Sequence, residues 1–311
     1  MHTILGAGGP VSNALAQELL KNNQPVRLVS RREIKTTEKA TWLGADLKNY
    51  QQVLQAVQGS SVIYMCAGLR YEKKVWAAEW PVIMQNLIDA TKATGARLIF
   101  FDNVYMYGHV RGPMTEETPY NPSSVKGEIR ARVAEKLMAE VKDGNLRASI
   151  ARAPDFYGAE SLNSFYDSMV LYKYAQKAKA TWLGDPSSKH SFIYIPDAGR
   201  AVYLLGQRPE SDNQIWHLPT APALTGHEFI QLAAKASNTK PNFMKVNKLM
   251  LQTIGLFNKM IGEIAELYYQ YQYDYVFNSD KFQKAFQVQP TPYATGIKQF
   301  APFLLNKVKK D

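Results

Sequence analysis

Three glycines within four residues, Gly6, Gly8 and Gly9, follow the apolar stretch Thr3-Ile4-Leu5 and precede a helical pattern at the start of the 311-residue chain. The segment reads Gly6-Ala7-Gly8-Gly9-Pro10-Val11-Ser12. Glycine at position 6 permits a tight strand-to-helix turn. Glycine at position 9 lets the backbone approach an anion at the helix N-terminus, where amide groups and the helix dipole favour negative charge. Val11, Leu15, Leu19 and Leu20 recur at helical spacing and face a sheet. Taken alone, a glycine trio is a weak signal. Placed between the first strand and the first helix, it points to a dinucleotide pyrophosphate.

The first half of the chain then alternates apolar runs with helical patterns, the signature of β-α-β units and a parallel sheet. The expected strands are residues 3–5, 25–30, 41–45, 61–65, 97–101 and 147–151. The expected helices are 11–22, 50–58, 77–94 and 126–142. This predicts an α/β fold of the Rossmann type, a doubly wound parallel sheet with helices on both faces. After residue 154 the alternation stops. Residues 155–190 read as irregular, 192–195 and 214–218 as short strands, and 225–270 as mostly helical. The aromatic cluster from Tyr268 to Phe277 reads as a helix leading into a half-buried strand. The expected division is therefore 1–154 plus about 191–220 as the nucleotide-binding domain. Residues 155–190 and 221–311 form a smaller, mostly α-helical substrate-binding region.

Composition narrows the partners. The net charge of +10 is scattered, with one short run at Lys307, Lys309 and Lys310. That describes a general positive field suited to small anions, and no nucleic-acid partner is expected. The lone Cys66 excludes a disulfide within the chain and a cysteine-based zinc site. His109, His190, His217 and His227 show no metal-like spacing, so no metal is expected. The longest apolar stretch, 249–267, is interrupted by Lys259, Glu263 and Glu266 and is too polar to span a bilayer. No leader is expected, since the chain opens on a strand pattern without a charged segment before an apolar stretch. A cytoplasmic protein without a membrane partner is the expectation, with a homodimer as an assembly the sequence allows.

The second strand ends Val29-Ser30-Arg31-Arg32. An NAD site places Asp or Glu there to bind the ribose 2′-hydroxyl. Two guanidinium groups stand there instead, and their planar forks suit a 2′-phosphate. NADP is expected in preference to NAD.

These residues resemble the extended short-chain dehydrogenase/reductase superfamily, the group of NAD-dependent epimerases and dehydratases. Gly6 to Ser12 resembles its Gly-x-x-Gly-x-x-Gly loop, with Ser for the last Gly. Asp46-Leu47 resembles the pair that contacts adenine, and Ala67-Gly68 the small pair beside the cofactor. Tyr105-Met106-Tyr107-Gly108 resembles Val-Tyr-Gly, and the stretch Arg152 to Gly158 resembles Arg-Pro-x-x-x-Tyr-Gly. The run His190 to Ala198 resembles Arg-x-Phe-x-x-Val-x-Asp-Val. The resemblance implies that Gly6, Gly9, Pro10, Val11, Arg31, Arg32, Asp46, Leu47, Ala67, Gly68, Lys126 and Pro154 hold the cofactor. It implies that Tyr107, Tyr157 and His190 meet the substrate.

The departures fall on the chemistry. Asn103 stands where the family has Ser or Thr. The family's Tyr-x-x-x-Lys aligns with Lys126-Gly127-Glu128-Ile129-Arg130, so Lys126 replaces the tyrosine and Arg130 the lysine. A one-gap alternative brings Ser123 or Ser124 near the tyrosine position. The chain is thus similar to atypical members that keep the cofactor site and lose the tyrosine. Lys126 is the first candidate for proton transfer, if its ammonium lies beside the ribose; binding ribose or phosphate is its other role. Tyr105 is the second, with aromatic packing as its alternative. Asn103 can polarise a carbonyl through its amide. Two functions follow: an NADP-dependent oxidoreductase or epimerase acting on a small carbonyl or sugar-nucleotide substrate, or a non-catalytic NADP-binding redox sensor or scaffold.

Overall fold

The computed structural model describes residues 1–36, 38–158, 162 and 164–311. The chain divides into two compact units, the first made of 1–108, 120–153 and 198–218, the second of 109–119, 154–197 and 219–311.

The first unit is a seven-stranded parallel sheet. Six strands, β1 (His2–Leu5), β2 (Val26–Ser30), β3 (Ala40–Gly44), β4 (Val62–Met65), β5 (Arg97–Asp102) and β6 (Arg147–Arg152), are joined by a last strand at Ile215–His217. The order across the sheet is last strand–β6–β5–β4–β1–β2–β3. The chain starts in the middle, winds outward to β3, then returns to place β4 on the other side of β1. His2 pairs with both Val26 and Val62, which fixes the register on either side. This reversal between β1 and β4 opens a crevice at the carboxyl ends of the strands, where ligands bind in such sheets.

Alternation along the strands loads both faces with apolar side chains. Leu5, Ile63, Met65, Leu98, Phe100, Ala148 and Ile150 pack against helices α2 (Tyr50–Val57), α3 (Lys73–Thr94) and α4 (Val125–Lys142). On the other face Tyr64 lies against Gly206, and Gly199 sits on Ala14 of α1 (Pro10–Lys21). At Gly206 a Cβ would fall 1.9 Å from the Tyr64 hydroxyl, and at Gly199 one would fall 2.5 Å from Ala14 Cβ. Backbone therefore approaches side chain directly on that face.

The expected strands and helices of this unit occur within a few residues of their bounds. The exception is α3, expected from residue 77 and found from Lys73. A proline lacks a backbone donor and is ordinarily confined to the first turn of a helix. Instead Pro81 sits inside the helix, held by the burial of Trp76, Trp80, Ile83 and Met84 around it.

The second unit is described by itself. Among its described residues are three small strand pairs: Asp155–Tyr157 with Phe192–Tyr194, Ala180–Leu183 with Phe243–Val246, and Lys189–His190 with Leu224–Thr225. Helices Gly226–Ala236 and Tyr293–Val308 pack over them around Tyr166, Trp182, Phe192, Phe229 and Phe300. Residues 155–190, expected as irregular, thus hold strands and a π-helical turn at Asp167–Leu171. The helical stretch expected at 225–270 is broken by the strand Phe243–Val246. Strands of two to four residues show no measurable period, which is why the sequence pattern does not reveal them.

Candidate active site

The glycine loop is built by close backbone approach. Gly6 has φ +85°, and a Cβ there would lie 2.2 Å from the Ala67 α-carbon. Only glycine lets the ends of β1 and β4 meet this way. Gly9 caps α1 without any side chain, and Pro10 occupies the first turn. The amides of that turn are accordingly not taken up by a capping side chain, as a pyrophosphate requires. Ser12 is buried and donates to the Gly9 carbonyl at 2.8 Å, while the Val11 side chain lies in the core. These residues fit a dinucleotide.

After β2, the Ser30 hydroxyl donates to the Arg32 carbonyl at 2.6 Å and accepts from Trp42 Nε1 at 3.0 Å. This turn leaves Arg31 and Arg32 exposed and brings Ile34 back to 3.6 Å from the point a Cβ on Gly8 would occupy. Asp46 accepts from the Lys48 amide at 3.0 Å, and the Leu47 carbonyl accepts from Asn86 Nδ2 at 3.0 Å. Gly68 and Ala67 follow β4, with Ala67 half-buried. Burial pushes the Cys66 thiol up to about 12, which leaves it protonated at neutral pH.

A second cluster surrounds Lys126. Ser124 caps α4, accepting from the Gly127 amide at 3.0 Å. A Cβ on Gly127 would fall 2.6 Å from the Tyr105 carbonyl oxygen, so glycine lets the helix start seat directly on the turn Tyr105–Tyr107. Lys126 is thereby buried, with its ammonium 4.6 Å from the centre of the Tyr71 ring. Tyr71 Oη donates to Tyr105 Oη at 3.3 Å, and Tyr105 stacks on Trp76 at 6.2 Å. Asn103 Oδ1 accepts from the Tyr105 amide at 3.1 Å, so its carbonyl end shapes the turn. Two of the three expected catalytic side chains, Lys126 and Tyr105, meet through Tyr71, which sequence reasoning did not single out. Its signal was an aromatic residue in the loop after β4, three positions beyond Gly68.

Beneath this cluster lies a buried charge network at the ends of β5 and β6. Arg130 Nε donates to Asp102 Oδ1 at 2.7 Å, and its Nη2 bonds the same oxygen. The guanidinium also lies over the Trp80 ring at 4.3 Å. Arg152 donates to Tyr107 Oη at 2.6 Å and to Tyr120 Oη, and Tyr107 shares a 2.7 Å hydrogen bond with His217. Arg152 Nε and Asp102 Oδ2 face each other across 3.8 Å. Burial pushes the Tyr120 phenol upward despite the neighbouring guanidinium. Tyr107, expected to meet substrate, is buried here as a hydrogen-bond partner of Arg152. Asp102 and Arg152 were missed as well, although each is a charged residue ending an apolar parallel strand, the edge where function collects.

Pro154, Tyr157 and His190 belong to the second unit. His190 Nε2 pairs with Asp155 Oδ2 at 3.0 Å and stacks on Tyr275 at 4.7 Å. Tyr157 is buried against Gly296, its hydroxyl has no hydrogen-bond partner among the described residues, and burial raises its pKa far above the ordinary phenol range. Among the described residues no group of three or more His, Cys, Asp or Glu is placed to hold a metal ion.

A parallel sheet with its reversal at a glycine turn, an uncapped first helix and a polar cluster at the strand ends make up a Rossmann-type fold of the extended short-chain dehydrogenase/reductase kind. The chain belongs to the NAD dependent epimerase/dehydratase family, whose model matches residues 2–218. It is 24% identical over 249 residues to the uncharacterized protein y4nL of Sinorhizobium fredii (strain NBRC 101917 / NGR234), covering 71% of this chain and 68% of that one. In fold it is similar to UDP-N-acetylglucosamine 4-epimerase from Bacillus cereus, with TM-score 0.78 and 13% identity over 97% of this chain and 95% of that one. MoeE5, solved with UDP-glucuronic acid and NAD, gives 0.80 and 17% over 98% and 99%. The family's Tyr-x-x-x-Lys occurs nowhere in the sequence.

Proposed function

We propose that this chain binds NADP and acts as an oxidoreductase or epimerase on a small carbonyl or sugar-nucleotide substrate, with Tyr105 exchanging the proton. The first unit is assigned to the dinucleotide and the second to the substrate, in a cytoplasmic protein. The observation that carries the reading is the buried Lys126 ammonium against Tyr71, whose hydroxyl meets that of Tyr105. A cation removed from water favours the ionised form of a nearby phenol, which is the role the family's lysine plays for its lost tyrosine. On this reading Tyr105 and Lys126 together stand in for the family's tyrosine and lysine.

The bound dinucleotide would supply the hydride chemistry. The chain's part is to seat the pyrophosphate on the Gly6–Gly9 turn and α1, hold the 2′-phosphate with Arg31 and Arg32, and move a proton at Tyr105 Oη. Three of the similar structures were solved with NAD, two of them with a UDP-sugar as well. Sugar nucleotides are therefore the first substrates to try, whereas the NADP preference rests on the two arginines and the missing carboxylate. The non-catalytic reading is favoured by one observation: Arg130, at the motif's lysine position, is committed to Asp102 and Trp80.

Fluorescence titration with NADPH and NADH tests the cofactor. NADPH binds more tightly, and Arg31→Ala with Arg32→Ala removes the difference; equal affinities in the unmutated chain refute the assignment. A screen of NADPH consumption and of epimerisation against aldehydes, ketones and sugar nucleotides tests the chemistry. Tyr105→Phe abolishes turnover and retains dinucleotide binding, and Lys126→Ala abolishes turnover while leaving some dinucleotide binding. Turnover that survives both leaves neither residue in the proton path, and no turnover on any class selects the non-catalytic reading.

A further inference from the structure

The second unit carries an apolar surface that the proposed chemistry does not use. Two short helices, Lys248–Phe257 and Lys259–Ala265, fold back on each other. They cross at a pair of glycines, where a Cβ on Gly255 would fall 2.9 Å from the Gly262 α-carbon. Both are capped: Asn247 Oδ1 accepts from the Met250 amide at 2.9 Å, and Asn258 Oδ1 from the Ile261 amide at 3.3 Å. The hairpin is thus an ordered element. Leu251 alone on the first helix is buried, packed with Leu183, Val246 and Tyr268. Leu249, Leu256, Phe257 and Met260 are 72, 81, 90 and 62% exposed, with Met250 and Ile254 beside them. Scattered apolar residues on a surface are ordinary, but six large ones within a dozen positions form a patch that calls for a partner.

Charge decides which partner. Between residues 240 and 265 the exposed charged side chains are Lys240, Lys245, Lys248 and Lys259; the one acid, Glu263, is buried, and Lys245 also lies 3.9 Å from Asp185. All four lysines are exposed. Two copies of this face would bring like charges together, whereas an anionic bilayer presents acyl chains for the apolar tips and headgroups for the ammonium groups. We infer that the hairpin is a peripheral membrane anchor that lies in the headgroup region of an anionic bilayer, with Leu256 and Phe257 inserted. The expectation of no membrane partner rested on the lack of a spanning segment, and no helix among the described residues is long and apolar enough to cross a membrane. Lying on the surface needs no such length.

Flotation of the full chain with vesicles of phosphatidylcholine alone, or with roughly a third phosphatidylserine, tests this. The chain floats with the anionic vesicles and not the neutral ones. Leu256→Ser with Phe257→Ser lowers the bound fraction at least about tenfold, as does Lys245→Gln with Lys248→Gln and Lys259→Gln. Unchanged thermal unfolding shows that the variants are folded, as substitutions at exposed positions should be. Absence of binding to anionic vesicles at low salt overturns the inference, and so does equal binding to both vesicle types. A concentration-dependent dimer in light scattering that Leu256→Ser with Phe257→Ser dissolves would make the patch a contact between copies instead.

Discussion

At the scale of single residues, the first unit's polar chemistry turns on one carboxylate. Asp102 is the anion facing two buried guanidinium groups, Arg130 through hydrogen bonds and Arg152 across 3.8 Å. Removing one partner of a buried pair leaves a charge without compensation, which costs about 3–5 kcal/mol. Asp102→Asn, which keeps shape and loses charge, is expected to destabilise the chain by that order in urea denaturation. Adding Arg130→Met to that background should recover part of the loss, because one of the two uncompensated cations is gone. In the unmutated chain Arg130→Met should destabilise instead. Equal effects of Arg130→Met in both backgrounds would mean that the two side chains are not coupled.

At the scale of elements, Arg97 shows how one side chain can fix a helix. It starts β5, is nearly fully buried, and donates to the carbonyls of Leu205, Gly206 and Arg208 at 2.7–3.0 Å while pairing with Asp212. Those carbonyls end the helix Ile195–Gln207, whose last turn would otherwise hold acceptors without donors. Arg97→Ala is expected to cost about 3–5 kcal/mol in chemical denaturation, as for any broken buried pair. Arg97→Lys should recover only a fraction, since an ammonium cannot reproduce the planar fork. Full stability of the lysine variant would show that charge alone suffices. The same scale explains what was legible in the sequence. Strands such as Leu98-Ile99-Phe100 and the helix of Val11, Leu15 and Leu19 announce themselves by period and composition, and the glycine turn by its place between them. Tyr71, Asp102 and Arg152 gave no periodic signal. Asp102 and Arg152 face each other because β5 and β6 end at one edge, and Tyr71 reaches Tyr105 where Gly127 lets α4 sit down on that turn. The short strand pairs of the second unit depend on tertiary pairing, which local pattern does not encode.

At the scale of the whole molecule, the net charge of +10 is a statement about encounter. Scattered lysines and arginines raise the local concentration of anions and speed their association, and salt screens this field over about 8–10 Å. The proposed cofactor is a graded probe of that field, because NADPH differs from NADH by one phosphate group. Stopped-flow association of NADPH is therefore expected to slow severalfold between about 0.05 and 0.5 M salt, with a steeper slope than that of NADH. The difference in slope should shrink when Arg31 and Arg32 are both alanine, since their charges lie closest to the 2′-phosphate in the proposed site. Dissociation rates separate the two contributions: a long-range field changes arrival, while the paired hydrogen bonds of the guanidinium groups change departure. Parallel salt slopes for the two nucleotides, with a difference confined to dissociation, would assign any preference to contact alone and leave the basic surface to another anion, for which the anionic bilayer under the hairpin is the candidate.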